Sequence, residues 1–207
     1  MDRKAMHALT YGLFVLTAKQ ENRHNGCIIN TAMQVTTEPN RISITVNKAN
    51  HTHDMLMETD DFTVSVISED ADFDLFKHFG FQSGKDTDKF SGFDDVREAK
   101  NGTLVVTKVT NAYISGKISD RIDLGSHTMF IADVVDGEIL SDEKSASYEF
   151  YQKNIKPVRN AKEGEKDGKT VWVCTVCGYE YEGEEIPSDF VCPWCKHPAS
   201  DFEKVVR

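Results

Sequence analysis

Residues 41–47, RISITVN, alternate: Ile42, Ile44 and Val46 fall on one face, and Ser43, Thr45 and Asn47 on the other. A period of two is the mark of a strand with one wet face. Residues 61–68, DFTVSVIS, alternate in the same way and set Phe62, Val64 and Val66 inward. YGLFVLTA (11–18) is strand-like, and GCIINTAMQVTTEPN (26–40) reads as a second strand followed by a turn at Glu38-Pro39-Asn40. Residues 102–120 and 127–140 supply roughly three or four more strands. Helical patterns lie between them. NHTHDMLMETD (50–60) offers Asn50 or Thr52 as a cap and Asp54 in the first turn. EDADFDLFKHFG (69–80) spaces Phe73, Phe76 and Phe79 three apart and has Gly80 to stop it. SASYEFYQKNIK (145–156) is a further helix, and residues 2–9 a short one.

About seven strands with a few short helices predict a mainly β fold, an antiparallel barrel with helices on its outside. The strands are not regularly separated by helices, so a doubly wound parallel sheet is not expected. PVRNAKEGEKDGKT (157–170) has no periodicity and reads as a linker; a flexible chain of that length spans on the order of 20 Å.

The chain has 207 residues, enough for one domain of ordinary size and a small module. Hydrophobic residues make up 39% and charged residues 28%, so most of the chain can fold around a core. Residues 1–160 carry 18 Lys/Arg against 24 Asp/Glu, and residues 161–207 carry 6 against 10. Neither part has a basic surplus, which argues against nucleic acid as a partner. No apolar run approaches the roughly 18 residues of a membrane-spanning helix, and no membrane association is expected. At the N-terminus Tyr11 and Gly12 break the apolar stretch and no convincing cleavage site follows, so it does not read as a signal peptide. The expected compartment is the cytoplasm, where thiols stay reduced.

Four of the five cysteines form two Cys-x-x-Cys pairs, Cys174/Cys177 and Cys192/Cys195. Each pair puts two sulfurs on one tight turn. Two such turns facing each other complete a tetrahedral site, with sulfurs about 2.3 Å from one ion. Spacing alone allows zinc or a single iron. The stretch WVCTVCGYEYEG…IPSDFVCPWCKHPASDFEKV resembles a rubredoxin, with Cys-Gly-Tyr after the first pair and Cys-Pro-x-Cys in the second. Trp172, Tyr179, Tyr181, Phe190, Trp194 and Phe202 give it an aromatic core. The loop between the pairs is shorter than in free-standing rubredoxins and looks like the type attached to larger redox proteins. The resemblance implies an iron held by Cys174, Cys177, Cys192 and Cys195, with no open coordination position, carrying one electron. A zinc ribbon is the alternative.

The larger part has no G-x-G-x-x-G after a strand, no H-E-x-x-H and no P-loop. Its segments YGLFVLT, NGCIINTAMQVTTEP, ITVNKANHTH, FTVSVIS, FGFQSGKDTDKF and GSHTMFIADVVDGEIL resemble, in order, the flavin reductase-like family. These are split-barrel FMN-binding proteins, flavoredoxins and ferric reductases among them. The resemblance covers residues 1–156 and implies FMN in a groove at a homodimer interface. It places Asn30, Thr31, Gln34, Val35 and Thr36 beside the isoalloxazine ring and ribityl chain. Asn47 ends a strand on its polar face, within reach of the flavin. Lys48, Thr52 and His53 lie at the start of a helix, where free N–H groups and the dipole favour an anion, and the phosphate is placed there. Phe79, Phe81 and Lys85 come from a loop that closes over the cofactor in the family, although Phe79 and Phe81 also read as core. His127 matches a histidine near the flavin face; it orients a nicotinamide or donates a proton, or else it is a hydrogen-bonded structural residue. Cys27 reads as a buried thiol. Gln152 stands where relatives carry a histidine, and that histidine's role is not carried over.

A flavin barrel followed by a rubredoxin resembles the high-molecular-weight rubredoxin family. The implied organisation is 1–156 flavin domain, 157–170 linker and 171–207 rubredoxin-like domain. The implied activity takes electrons from NADH or NADPH through FMN to the iron and on to a flavodiiron protein, which reduces nitric oxide or oxygen. Two other readings stand beside it: a flavin reductase with a zinc ribbon for docking, and an electron carrier that another protein reduces.

Overall fold

The computed structural model describes residues 8–157, 170–175, 178–193 and 198–206. The chain divides into two compact units, Met1–Pro157 and Val158–Arg207. Most of the helix expected over residues 2–9, and residues 158–169 of the expected linker, lie outside the described residues.

The first unit is built from β1 (Phe14–Gln20), β2 (Arg23–Ile29), β3 (Ala32–Thr37), β4 (Asn40–Asn47), β5 (Asp61–Ile67), β6 (Val96–Glu98), β7 (Leu104–Val106), β8 (Thr110–Asp123) and β9 (His127–Ile139). Helix α1 (His51–Glu58) lies between β4 and β5, and α2 (Phe73–Gly80) follows β5. Helix α3 (Tyr148–Phe150) runs into a π-helical turn, Tyr151–Ile155. Seven strands form one antiparallel sheet in the order β2-β1-β5-β8-β9-β4-β3, and β6 and β7 form a separate hairpin. The edge strands β2 and β3 are consecutive in the chain, with only Asn30 and Thr31 between them. The sheet therefore curls until its two edges meet at that corner, a barrel split along one seam. The single strand expected over 26–40 is two strands, because the chain crosses the seam at the polar pair Asn30-Thr31.

Leu16, Ile44, Val46, Phe62, Val64 and Phe130 fill the barrel and are fully buried. Small barrels of this size are filled by side chains and are not pores. The Phe62 ring takes up the room beside Gly116, where a Cβ would stand 2.6 Å from it. A second apolar layer packs α2 and the Tyr151 turn outside the barrel, through Leu13, Val15, Ile67, Leu75, Phe76 and Phe79.

β5 departs from its sequence pattern. Phe62 and Val64 face the barrel as expected, but Val66 is half-buried, while Thr63 and Ser65 are fully buried. The hairpin region covers their face and hydroxyls satisfy one another: Thr63 Oγ1 lies 2.7 Å from Thr103 Oγ1 and 2.6 Å from Ser115 Oγ. Ser65 Oγ accepts from the Val106 N–H at 3.0 Å. Polar residues read as a wet face are thus dry and paired, which is the usual condition for burying them. At α1, Asn50 occupies the cap position without a side-chain cap bond. The main chain closes the turn instead, with Asn50 N–H donating to Asn47 O at 3.0 Å and His53 N–H to Asn50 O at 2.9 Å. Asp72 caps α2, accepting from the Asp74 and Leu75 N–H groups at 3.0 and 3.2 Å. Among the described residues no helix is long and apolar enough to cross a membrane.

In the second unit β10 (Thr170–Cys174) pairs with β11 (Glu180–Glu182) on one side and β12 (Phe202–Val206) on the other. Thr170, expected in the linker, is the first residue of β10 and pairs with Val206. Phe190 is the centre of the small core, its ring 4.7 Å from Tyr181 and 5.4 Å from Phe202.

Candidate functional site

The start of α1 gathers several of the residues singled out in the sequence. β4 and β9 pair so that Asn47 stands opposite His127. The Lys48 N–H donates to Ser126 O at 3.0 Å, which seats the β8–β9 turn against the approach to α1. Lys48 Nζ lies 2.7 Å from Asp123 Oδ1. From the loop after α2, Lys85 Nζ reaches Asp54 Oδ2 at 2.9 Å. His127 Nδ1 is 2.9 Å from Ser126 Oγ. Asn47 Oδ1 accepts the Ala49 N–H at 2.9 Å.

Thr52 and His53 are buried. Asn25 Nδ2 donates to Thr52 Oγ1 at 2.9 Å. His53 Nε2 is 2.9 Å from Thr128 Oγ1, and its ring tilts against Phe130 with centroids 5.8 Å apart. Burial holds the His53 pKa below its ordinary value. The other ring nitrogen, Nδ1, is buried without a hydrogen-bond partner, and so is Nδ1 of His51. Each lies 3.8 Å from a different oxygen of Asp54. Partial burial pushes the Asp54 carboxyl up, but Lys85 and the two imidazoles outweigh it and hold the pKa low.

The residues of the seam and of β3 make other contacts. Thr31 Oγ1 donates to Thr45 O at 2.7 Å, and Asn30 is half-buried at the seam. Gln34 Nε2 donates to Asn40 Oδ1 at 2.9 Å, and Thr36 Oγ1 to Pro39 O at 2.5 Å, so both side chains turn back onto their own hairpin. Val35 is exposed, and Met33 beside it is 64% exposed.

Phe79 is a correction. It is fully buried, with Phe90 and Phe93 rings 5.5 and 5.2 Å away, and has no face left for a cofactor. Its spacing on α2, with Phe76 three residues before it, was a core signal. Phe81 is half-buried and meets the Phe73 ring edge-on at 5.6 Å. Cys27 lies inside the barrel, where burial raises its thiol pKa.

Sequence reasoning passed over His51, Asp54 as a charge partner, and Asp123. The signal for Asp123 was available in DLGSH, a turn signature at the end of a strand. Nothing in the sequence pairs it with Lys48, 75 residues away. Lys89 was also missed: it is buried and donates to Gly26 O and Phe79 O, each at 2.8 Å.

The second site is the cysteine module. Cys174 and Cys192 are both fully buried. The Cys174 N–H donates to Tyr179 O at 2.8 Å, and the Gly178 N–H to Cys174 O at 2.9 Å. Gly178 has φ +83°, the left-handed conformation that lets the chain turn tightly behind the first cysteine pair. Cys177 and Cys195 lie outside the described residues.

Residues 6–159 match the family model described as a flavin reductase like domain, and residues 172–203 match the rubrerythrin, rubredoxin-like domain. The chain is 31% identical to the high molecular weight rubredoxin of Moorella thermoacetica, over 99% of this chain and 100% of that protein. It is 34% identical to the ferric-chelate reductase (NAD(P)H) of Archaeoglobus fulgidus, over 73% of this chain and 89% of that one. The FMN-binding protein from Thermus thermophilus, solved with bound 1-cyclohex-2-enone, has the same fold at a TM-score of 0.59 and 20% identity. That match covers 65% of this chain and 73% of the other.

Proposed function

The chain belongs to the flavin reductase-like family and carries a rubredoxin-like domain behind it, and on that premise we propose an electron-transfer oxidoreductase. It takes electrons from NADH or NADPH through FMN to an Fe(Cys)4 centre and passes them to a protein acceptor. The observation that carries this reading is the pairing itself: a flavin reductase-like domain and a rubredoxin-like domain joined in one chain. When bound, FMN takes two electrons as a hydride and releases them singly, and a rubredoxin iron takes one at a time. Joining both in one chain makes the second transfer intramolecular, at an effective concentration of roughly mM order for a short linker.

The donor chemistry at the start of α1 fits a phosphate. Lys48 and Lys85 supply charge, and the first-turn N–H groups and the helix dipole favour an anion. The buried Nδ1 atoms of His51 and His53 have no hydrogen-bond partner and sit in the same turn. Asn30 and Thr31 at the seam, with Asn47, would meet the ribityl chain and flavin edge; Gln34, Val35 and Thr36 would flank them on β3. His127 on the neighbouring strand would orient the nicotinamide or hold a proton at its ring nitrogen. Cys174 and Cys192, with Cys177 and Cys195, would hold the iron.

Two chains would pair through the flavin domain, and the exposed apolar side chains Met33, Val35, Ile122 and Val135 on β3, β8 and β9 support such a contact. The protein would act in the cytoplasm, where the thiols stay reduced. A flavodiiron protein reducing nitric oxide or oxygen is the proposed acceptor. Full-length likeness to a high molecular weight rubredoxin supports it.

Cys192→Ser tests the relay. The variant is expected to lose iron, keep FMN and still oxidise NADH with an artificial acceptor, while failing to reduce a flavodiiron partner. Unchanged transfer to that partner would remove the iron from the path.

A further inference from the structure

Both cations at the start of α1 are already engaged, each by one carboxylate. Lys48 follows β4 and meets Asp123, the last residue of β8, at 2.7 Å. Lys85 crosses from the loop after α2 and meets Asp54, in the first turn of α1, at 2.9 Å. His53 ties the two pairs together, since Asp54, Lys48 and Asp123 all act electrostatically on its ring. Both pairs are partly exposed, and pairs of that kind gain little and exchange readily. The Lys48 ammonium, helped by the Gly125 N–H, lowers the Asp123 pKa and so favours the ionised carboxylate. An acid in the first turn suits an empty helix end, whose free N–H groups it compensates. The same acid repels a phosphate brought to that end.

We propose that Asp123 and Asp54 are stand-in counter-ions, which hold Lys48 and Lys85 while the site is empty and release them to the dianionic phosphate of flavin mononucleotide. This rests on the reading that the phosphate binds at the start of α1. Loading is then an exchange of one anion for another. The empty site stays neutralised and the two lysines stay in place. The carboxylates lower the affinity for the phosphate they resemble, and flavins without a phosphate escape that penalty.

Asp123 is the better position to test, because it lies on the surface and Asn keeps the acceptor for the Gly125 N–H, now 2.7 Å away. The full-length protein, stripped of flavin, is titrated with FMN and with riboflavin at low and high salt, and flavin fluorescence is followed. Asp123→Asn is expected to tighten FMN binding about three- to tenfold at low salt, with riboflavin unchanged, from the loss of one charge near a dianion. The gain should fade as salt screens it. Lys48→Met should weaken FMN but not riboflavin, and in the double variant Asp123→Asn should lose most of its effect. If Lys48→Met weakens FMN while Asp123→Asn weakens it or leaves it unchanged, the stand-in role is wrong and the phosphate site stands. If Lys48→Met leaves FMN binding unchanged, the phosphate site is wrong and the proposal falls with it.

Discussion

Asn47 and His127 face each other across the β4–β9 ladder, the last residue of one strand opposite the first of the other. They are 80 positions apart in the chain, and the antiparallel register alone brings them together. Ser126 Oγ engages Nδ1 of His127, so Nε2 is the nitrogen a ligand would meet. His127→Asn should slow flavin reduction by NADH about a hundredfold or more, the scale of a lost general acid or base. FMN affinity should stay within about twofold. Stopped-flow absorbance under anaerobic conditions reads both, and an unchanged rate would make His127 a purely structural residue.

Gly116 is needed for space. Its Cβ would stand 2.6 Å from the Phe62 ring and 3.1 Å from the Ala132 Cβ, both deep in the barrel. Gly116→Ala should destabilise the flavin domain by about 1–3 kcal/mol, the cost of overpacking a filled core. Gly125 has open space but φ +84°. There, Ala should cost about 1–2 kcal/mol, from the left-handed backbone alone. Urea unfolding followed by far-UV circular dichroism reads both, and full stability in Gly116→Ala would contradict the packing argument.

His24 and His53 both have pKa values held below 6.5, chiefly by burial. A histidine that resists protonation when folded binds more protons when unfolded. Stability therefore falls as pH drops through 6.5 and levels off below the native pKa values. Thermal midpoints between pH 8 and pH 5 should decline over that window, with a smaller decline in His53→Gln. A midpoint insensitive to pH above 5 would contradict this.

Lys89 closes the β2 edge and the C-terminal end of α2 from one ammonium, through Gly26 O and Phe79 O. Lys89→Met keeps the stem and leaves both carbonyls without that donor. A loss of about 1–3 kcal/mol is expected, with hydrogen exchange rising first in the loop that follows α2. Full stability in the variant would show that water replaces the ammonium without penalty.

The apolar face of β4 was legible, since Ile42, Ile44 and Val46 are all buried in the barrel, but Ser43, read on the wet face, is buried too. The mainly β fold, the flavin reductase-like family and the rubredoxin-like module could be read because their motifs are local and ordered along the chain. Thr63 and Ser65 were misread because their partners, Thr103, Ser115 and Val106, come from distant segments. Burial of a hydroxyl depends on such partners and not on its own pattern. Phe79 reads both as a cofactor residue and as core, and the spacing of Phe76 and Phe79 on α2 was the signal that decides for the core. The pairing of Asp123 with Lys48 and the role of Lys89 were invisible for the same reason as that of Thr63: each rests on a contact across the fold.

In the proposed function, electrons run from the nicotinamide through the flavin to the iron. The most direct test is the visible spectrum of the full-length protein, with iron and zinc analysis, before and after anaerobic NADH. Flavin bands together with ferric–thiolate absorption, one iron per chain, and bleaching of both, the flavin first, are expected. Flavin bands with zinc in place of iron would contradict the relay and leave a flavin reductase carrying a structural ribbon.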